Sequence, residues 1–131
     1  MEHLANTMLP FRVKIQSGTP ITEQVIYAVH KALVTGQLRA GEPFPSVREL
    51  SRELKINPNT AFKIVARLKQ EGLLVVEPGR GTFLNENYQP SAASKAELLD
   101  RRIEALVIEA RKLHLDKADI KKSIDEHWKK L

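Results

Sequence analysis

Ile21, Val25, Val29 and Leu33 recur every four residues, which predicts a helix over residues 20–35. Thr19 and Pro20 read as its N-cap and first helical position, and Gly36 as its stop. Upstream, FRVKI at residues 11–15 alternates apolar and polar positions, as a short strand or extended arm does. Downstream, GQLRAGEPFP is dense in glycine and proline and reads as a loop. Val47, Leu50 and Leu54 then give a short helix over 47–55 a single apolar face. Ser46 and Glu49, three apart, form a capping box at its start. Asn57 caps a third helix with Pro58 in the first position. Ala61, Ile64, Val65 and Leu68 supply its buried face and Gly72 ends it. LLVVE and GTFLN follow as strand-like runs around Pro78-Gly79-Arg80, so residues 73–85 read as a β-hairpin. Three helices and a hairpin, in this order, make a winged helix-turn-helix.

The apolar period stops in NENYQPSAA, a polar linker over residues 86–93. Ser94 and Glu97 form another capping box, and Leu99, Ile103, Leu106, Val107, Ala110 and Leu113 make a broad stripe along a helix over 95–114. Asp116 caps a last helix over 117–130 that carries Ile120, Ile124, Trp128 and Leu131. A hairpin of two such helices cannot bury both stripes, so they require a partner surface. The expected architecture is mostly α with a small β-hairpin. A winged helix-turn-helix domain over 1–85 and a linker over 86–93 are followed by a two-helix C-terminal hairpin over 94–131. Dimerisation through that tail would bury Ile103, Leu106, Ala110, Leu113, Ile124 and Trp128.

Composition narrows the function classes. The 131 residues suit one domain with a small appendage, and the formal net charge is +5 with a pI near 9.6. A basic balance permits nucleic-acid binding without establishing it. No cysteine is present, which excludes a disulfide framework and a thiolate metal site and suits a reducing cytoplasm. MEHLANTMLPF carries no export-signal pattern, and no apolar run approaches the ~18–20 residues of a membrane span. Neither GxGxxG nor GxxxxGK[ST] occurs. His3, His30, His114 and His127 have no metal-ligand spacing, and no nucleophile stands in a catalytic arrangement. No enzyme activity, cofactor or metal is expected.

The third helix carries the chemistry. Asn57, Asn59 and Thr60 occupy its first turn, where free N–H groups and the helix dipole favour anions. Lys63 and Arg67, four apart on a non-core face, suit phosphate contacts; the plainer account is a solvated basic face with Asn57 as a cap only. Arg48, in the first turn of the second helix and opposite Leu50 and Leu54, suits a guanine edge or a phosphate, or else an ion pair with Glu49 or Glu53. Gly79 and Gly81 allow close approach at the wing tip, with Arg80 projecting between them toward a minor groove.

From Gly36 to Phe83 the run GQLRAGEPFPSVRELSRELKINPNTAFKIVARLKQEGLLVVEPGRGTF resembles the DNA-binding domain of GntR-family transcription regulators. Gly36, Leu38, Gly41, Pro45, Ser46, Arg48, Leu50, Leu54, Asn57, Thr60, Leu68, Gly72, Gly79, Gly81, Thr82 and Phe83 carry the match. Asn-Pro-Asn-Thr and the short helical tail look like the YtrA subfamily. The resemblance implies a bacterial operator-binding repressor, dimeric through its C-terminal helices and often encoded beside ABC-transporter genes. It would place DNA contacts on Arg48, Asn57, Asn59, Thr60, Lys63, Gly79 and Arg80. Phe62 departs from the pattern, standing where many relatives carry Arg or Gln. It either meets a thymine methyl group or folds back onto Pro58 or the preceding helix. The expected partners are double-stranded DNA and a second copy of the chain; no effector ligand is legible. A winged-helix adaptor binding protein through the same fold is the alternative.

Overall fold

Helix α1 (Ile21–Val34) turns Val25, Ile26, Val29 and Ala32 into the core of the first of two units, which extends to Tyr88. The computed structural model describes residues 2–4 and 8–131. The N-terminal stretch read for an export signal lies partly outside them. The first helix departs from expectation at its start: Pro20 is the N-cap, with φ −56° and ψ 133°, and no side chain caps it. Thr19 instead offers its carbonyl to the Gln24 amide at 2.8 Å. The same side chain holds both backbone groups of Gln16, accepting from N at 2.7 Å and donating to O at 2.8 Å. A single glutamine thus ties the chain before α1 to the helix and secures the preceding strand, while no side chain caps the first helical N–H groups.

That strand, β2 (Lys14–Gln16), pairs antiparallel with β1 (Glu2–Leu4), which has no clear signature in the sequence. The alternation read over 11–15 is real, since Phe11 and Val13 are buried while Arg12 and Lys14 are exposed. Only its end finds a partner strand. Phe11 stacks on Phe44 with centroids 5.7 Å apart. Phe44 belongs to β3 (Pro43–Phe44), inside the segment expected to be loop, because the edge of β5 (Gly81–Leu84) offers it a ladder. With β4 (Leu74–Glu77) the wing is a three-stranded sheet in the order β3-β5-β4.

Helices α2 (Val47–Leu54) and α3 (Pro58–Gln70) complete the unit. Leu50 and Leu54 from α2 meet Ala61, Ile64, Val65 and Leu68 from α3 in one cluster with Leu38, Leu74 and Leu84. Gly72, at φ +83°, ends α3: its N–H reaches the Lys69 carbonyl at 2.9 Å, and the Leu73 N–H reaches that of Leu68 at 3.0 Å.

The second unit, Gln89–Leu131, is helical. Helix α4 (Ala92–Ala96) is capped by Ser91, whose side chain accepts from the Ser94 N–H at 3.0 Å. Ser94 therefore lies inside the first turn, and the expected capping box with Glu97 starts three residues late. A π-helical stretch, Glu97–Arg102, leads into α5 (Ile103–Lys112), and α6 (Lys117–Lys130) follows. Asp119 closes the start of α6 by accepting from the Asp116 N–H at 2.8 Å.

Candidate nucleic-acid interface

The junction between α2 and α3 is built to be stiff. Ser46 accepts from the Glu49 N–H at 3.1 Å while Glu49 accepts from the Ser46 N–H at 3.3 Å, closing the expected capping box. At the other end of α2, Lys55 adopts the left-handed conformation (φ 54°, ψ 47°). The Ile56 N–H then reaches the Ser51 carbonyl at 3.1 Å, and Ser51 Oγ donates to the Ile56 carbonyl at 2.8 Å. Asn57 caps α3 by accepting from the Asn59 N–H at 2.7 Å. No acidic residue stands in the first turn of α3, so the positive end of its dipole is left uncompensated, an arrangement that favours phosphate.

With Ala61, Ile64, Val65 and Leu68 buried, α3 presents Asn59, Phe62, Lys63 and Ala66 outward, all exposed, and keeps Thr60 half-buried at the rim. Lys63 makes no ion pair among the described residues, nor does Arg48. The acids that might have claimed Arg48 are engaged: Glu49 in the capping box, Glu53 with Arg52 at 3.8 Å and with the Met8 N–H at 3.3 Å. Arg48 and Lys63 are thus exposed cations on α2 and α3 that make no ion pair among the described residues.

Arg67 is different. Its Nη1 lies 2.6 Å from Glu23 Oε1 on α1, and its Nε 3.9 Å from Glu71. The hydrogen bond from Arg67 holds the Glu23 carboxyl below its ordinary range, and the same bond raises the guanidinium of Arg67. His30 Nε2 meets Glu71 at 2.8 Å in the same seam. Arg67, read in the sequence as a companion to Lys63, has the orientation of α3 on α1 as its visible role.

At the wing, Gly79 (φ +78°) and Gly81 (φ +121°) supply turn geometry that side chains rarely adopt, while a Cβ at either would meet open space. Arg80 does not project freely. Nη1 pairs with Glu77 at 2.8 Å and the guanidinium lies 5.4 Å from the Phe83 ring centroid, because a three-residue turn brings both within reach. Among the described residues no group of histidines or acids could hold a metal, and the side chain of His3 lies outside them.

Sequence reasoning missed two features of this unit. Lys55 is the left-handed pivot of the helix-turn-helix, without the glycine that would have marked it. A trough between β2 and α1 is lined by Arg12, Lys14, Tyr27 and Lys31, among others. Its signals were a period of two in the cations of the strand and a period of four in the exposed positions of the helix.

In the tail unit the expected contact residues are largely uncovered. Ile103, Leu106, Leu113 and Ile124 are exposed, Trp128 is 82% exposed, and Ala110 alone is buried. No helix among the described residues is long and apolar enough to cross a membrane.

A helix-turn-helix with exposed Arg48 at one helix start and no acid in the first turn of the other, backed by a wing, is the architecture of DNA-binding transcription regulators. The model of the bacterial regulatory proteins, gntR family, matches residues 21–84, and the chain belongs to that family. It is 34% identical over 96 residues to the HTH-type transcriptional repressor YtrA of Bacillus subtilis, covering 72% of this chain and 74% of that one. The uncharacterized HTH-type transcriptional regulator YhcF of the same organism is 30% identical over 111 residues, 85% of this chain and 92% of its own. Among solved structures, a transcriptional antiterminator from Listeria monocytogenes superposes with a TM-score of 0.79 at 26% identity, covering 86% of this chain and 87% of that one. A GntR family transcriptional regulator from the same species gives 0.66 at 27% identity, covering 86% and 98%. The expected winged helix-turn-helix with C-terminal helices and the YtrA-like resemblance are both borne out, and the chain is a transcription regulator rather than an enzyme.

Proposed function

We propose that the protein is a cytoplasmic repressor that binds a two-fold symmetric operator as a homodimer, regulating a transporter operon. Arg48 carries this reading: an exposed arginine in the capped first turn of α2, without an ion pair among the described residues. Asn57, Asn59 and Thr60 line that start, and Lys63 stands one turn further on. Base edges would be read from the two helix starts, while Lys63, Gly79 and Arg80 hold the phosphate backbone. The glutamate and phenylalanine that hold Arg80 lower the entropy lost when the wing meets DNA. Arg67 enters as a positioning residue through Glu23.

The exposed stripe of the tail supports the second copy. Two-fold symmetry in the protein then requires it in the operator, with half-sites about one helical turn, roughly 34 Å, apart or at a multiple of that spacing. The test is retention of sheared genomic DNA on the purified chain at near-physiological salt, followed by sequencing. A few sharp peaks sharing a symmetric motif, upstream of the chain's own gene or a transporter operon, are expected. Uniform recovery whose affinity falls steeply with salt would remove specificity and leave only phosphate binding. No recovery at any salt would favour the adaptor alternative.

A further inference from the structure

Phe62 is an apolar ring on the face of α3 that the core does not use. It is 62% exposed, whereas Phe11 and Phe44 in the same unit are 2% and 4% exposed. Its neighbours in sequence, Ala61 and Ile64, are fully buried, so the ring is outside by the helical period and not for want of a core. At 62% exposure the ring is not folded away beneath the start of the helix.

We propose that Phe62 is a specificity-determining residue that receives the C5-methyl group of a thymine in the major groove, once in each half-site; this rests on the DNA-binding reading above. Phe62 and Ala66, four apart, form an apolar strip on the outward face, with Asn59 at its N-terminal end and Lys63 beside it. Each member matches one kind of group in the groove. An asparagine pairs with the N6 and N7 of adenine, a lysine with a phosphate, and an apolar strip with the thymine methyl, the apolar group that a base edge presents there. The ring has no hydrogen-bonding atom, so a cytosine or guanine edge set against it would lose water without replacement. An adenine read by Asn59 next to a thymine read by Phe62 is the local sequence that this face selects.

The experiment uses the full chain and the shortest specific duplex retained from genomic DNA, with each thymine replaced in turn by deoxyuridine, which lacks only the methyl group. Wild type is expected to lose about fourfold in affinity per half-site at one symmetric pair of positions, the value of one buried methyl group. The variant Phe62→Ala, checked for an unchanged thermal unfolding curve, is expected to bind the thymine and uracil duplexes alike. Phe62→Leu should retain part of the discrimination. Specific binding by wild type with no sensitivity to any uracil, or full sensitivity kept by Phe62→Ala, would overturn the assignment and leave DNA binding intact. Absence of any specific duplex would overturn both.

Discussion

Among the cations of α2 and α3, Arg48 and Arg67 differ in what surrounds them. Among the described residues Arg48 makes no ion pair, whereas Arg67 is bonded to Glu23 and near Glu71. Arg48→Ala is therefore expected to weaken operator binding by about an order of magnitude or more, in line with the ~1–3 kcal/mol of a bidentate base contact, while leaving the oligomeric state unchanged. Fluorescence anisotropy on the retained operator reads the first and sedimentation the second. Glu23→Gln makes a different prediction, one of pH. The folded carboxyl titrates below its usual value of 4.5, so its contribution is fully present above that value and disappears as pH falls through the lowered one. The raised guanidinium of Arg67 stays charged throughout this range and adds no slope. Melting curves should show Glu23→Gln slightly less stable than wild type at pH 7, with the difference shrinking as pH falls below 4.5. The pair is exposed, so the difference is small. Equal melting temperatures at pH 7 would deny the pair any role in holding α1 to α3.

Helix ends explain most of the differences between the expected and observed elements. Four helices stop on a left-handed residue, and two of them use glycine, Gly36 after α1 and Gly72 after α3; α2 uses Lys55 and α5 is followed by His114 at φ 60°. At His114 the bonding is complete: its N–H reaches the Arg111 carbonyl at 3.1 Å, and the Leu115 N–H reaches that of Ala110 at 2.9 Å. A histidine side chain in that conformation is strained, so His114→Gly should raise the stability of the tail, by up to about 1 kcal/mol. Denaturant unfolding would detect it, and a destabilised variant would mean that the imidazole makes contacts worth more than the strain. The π-helical stretch before α5 has a related effect. It accommodates more than the usual residues per turn, so Leu98 and Leu99 are rotated relative to the stripe that begins at Ile103.

For the whole molecule, the question is what covers the tail. An 82% exposed tryptophan near the end of α6 and a row of exposed aliphatic residues along α5 are apolar groups that a monomer rarely leaves open in such number. If a second copy covers it, Trp128→Ala should raise the dimer dissociation constant about tenfold or more, as removal of a large aromatic anchor does. Sedimentation over a concentration series measures this. Operator affinity should fall with it, because each half-site alone gives up the gain of joint binding. A sedimentation profile identical to wild type would take Trp128 out of the interface.

Periodicity located all three helices of the winged unit, because each buries one face and burial imposes a period of 3.6 on the apolar residues, while the hairpin was legible from two apolar runs around the turn residues Pro78-Gly79-Arg80. Ser46 and Asn57 were legible as caps for a local reason: each bonds a backbone group two or three residues away. The candidate contact residues were legible as residue types, Arg48, Asn57 and Asn59 at helix starts and Lys63 on the non-core face of α3. Other features depended on chain distant in sequence. Strand β3 exists because β5 is beside it, and β1 because β2 is. Arg67 and Lys63, alike on a helical wheel, diverge because a glutamate 44 positions away lies against one of them. Arg80 is held by Glu77 and Phe83 across a turn that folds back on itself. The sequence by itself determined which faces are apolar and which helix ends are open to anions, since those are properties of neighbours along the chain. Only the tertiary structure decided which polar groups are already engaged, since an ion pair between α1 and α3 forms only after both helices pack on the same core.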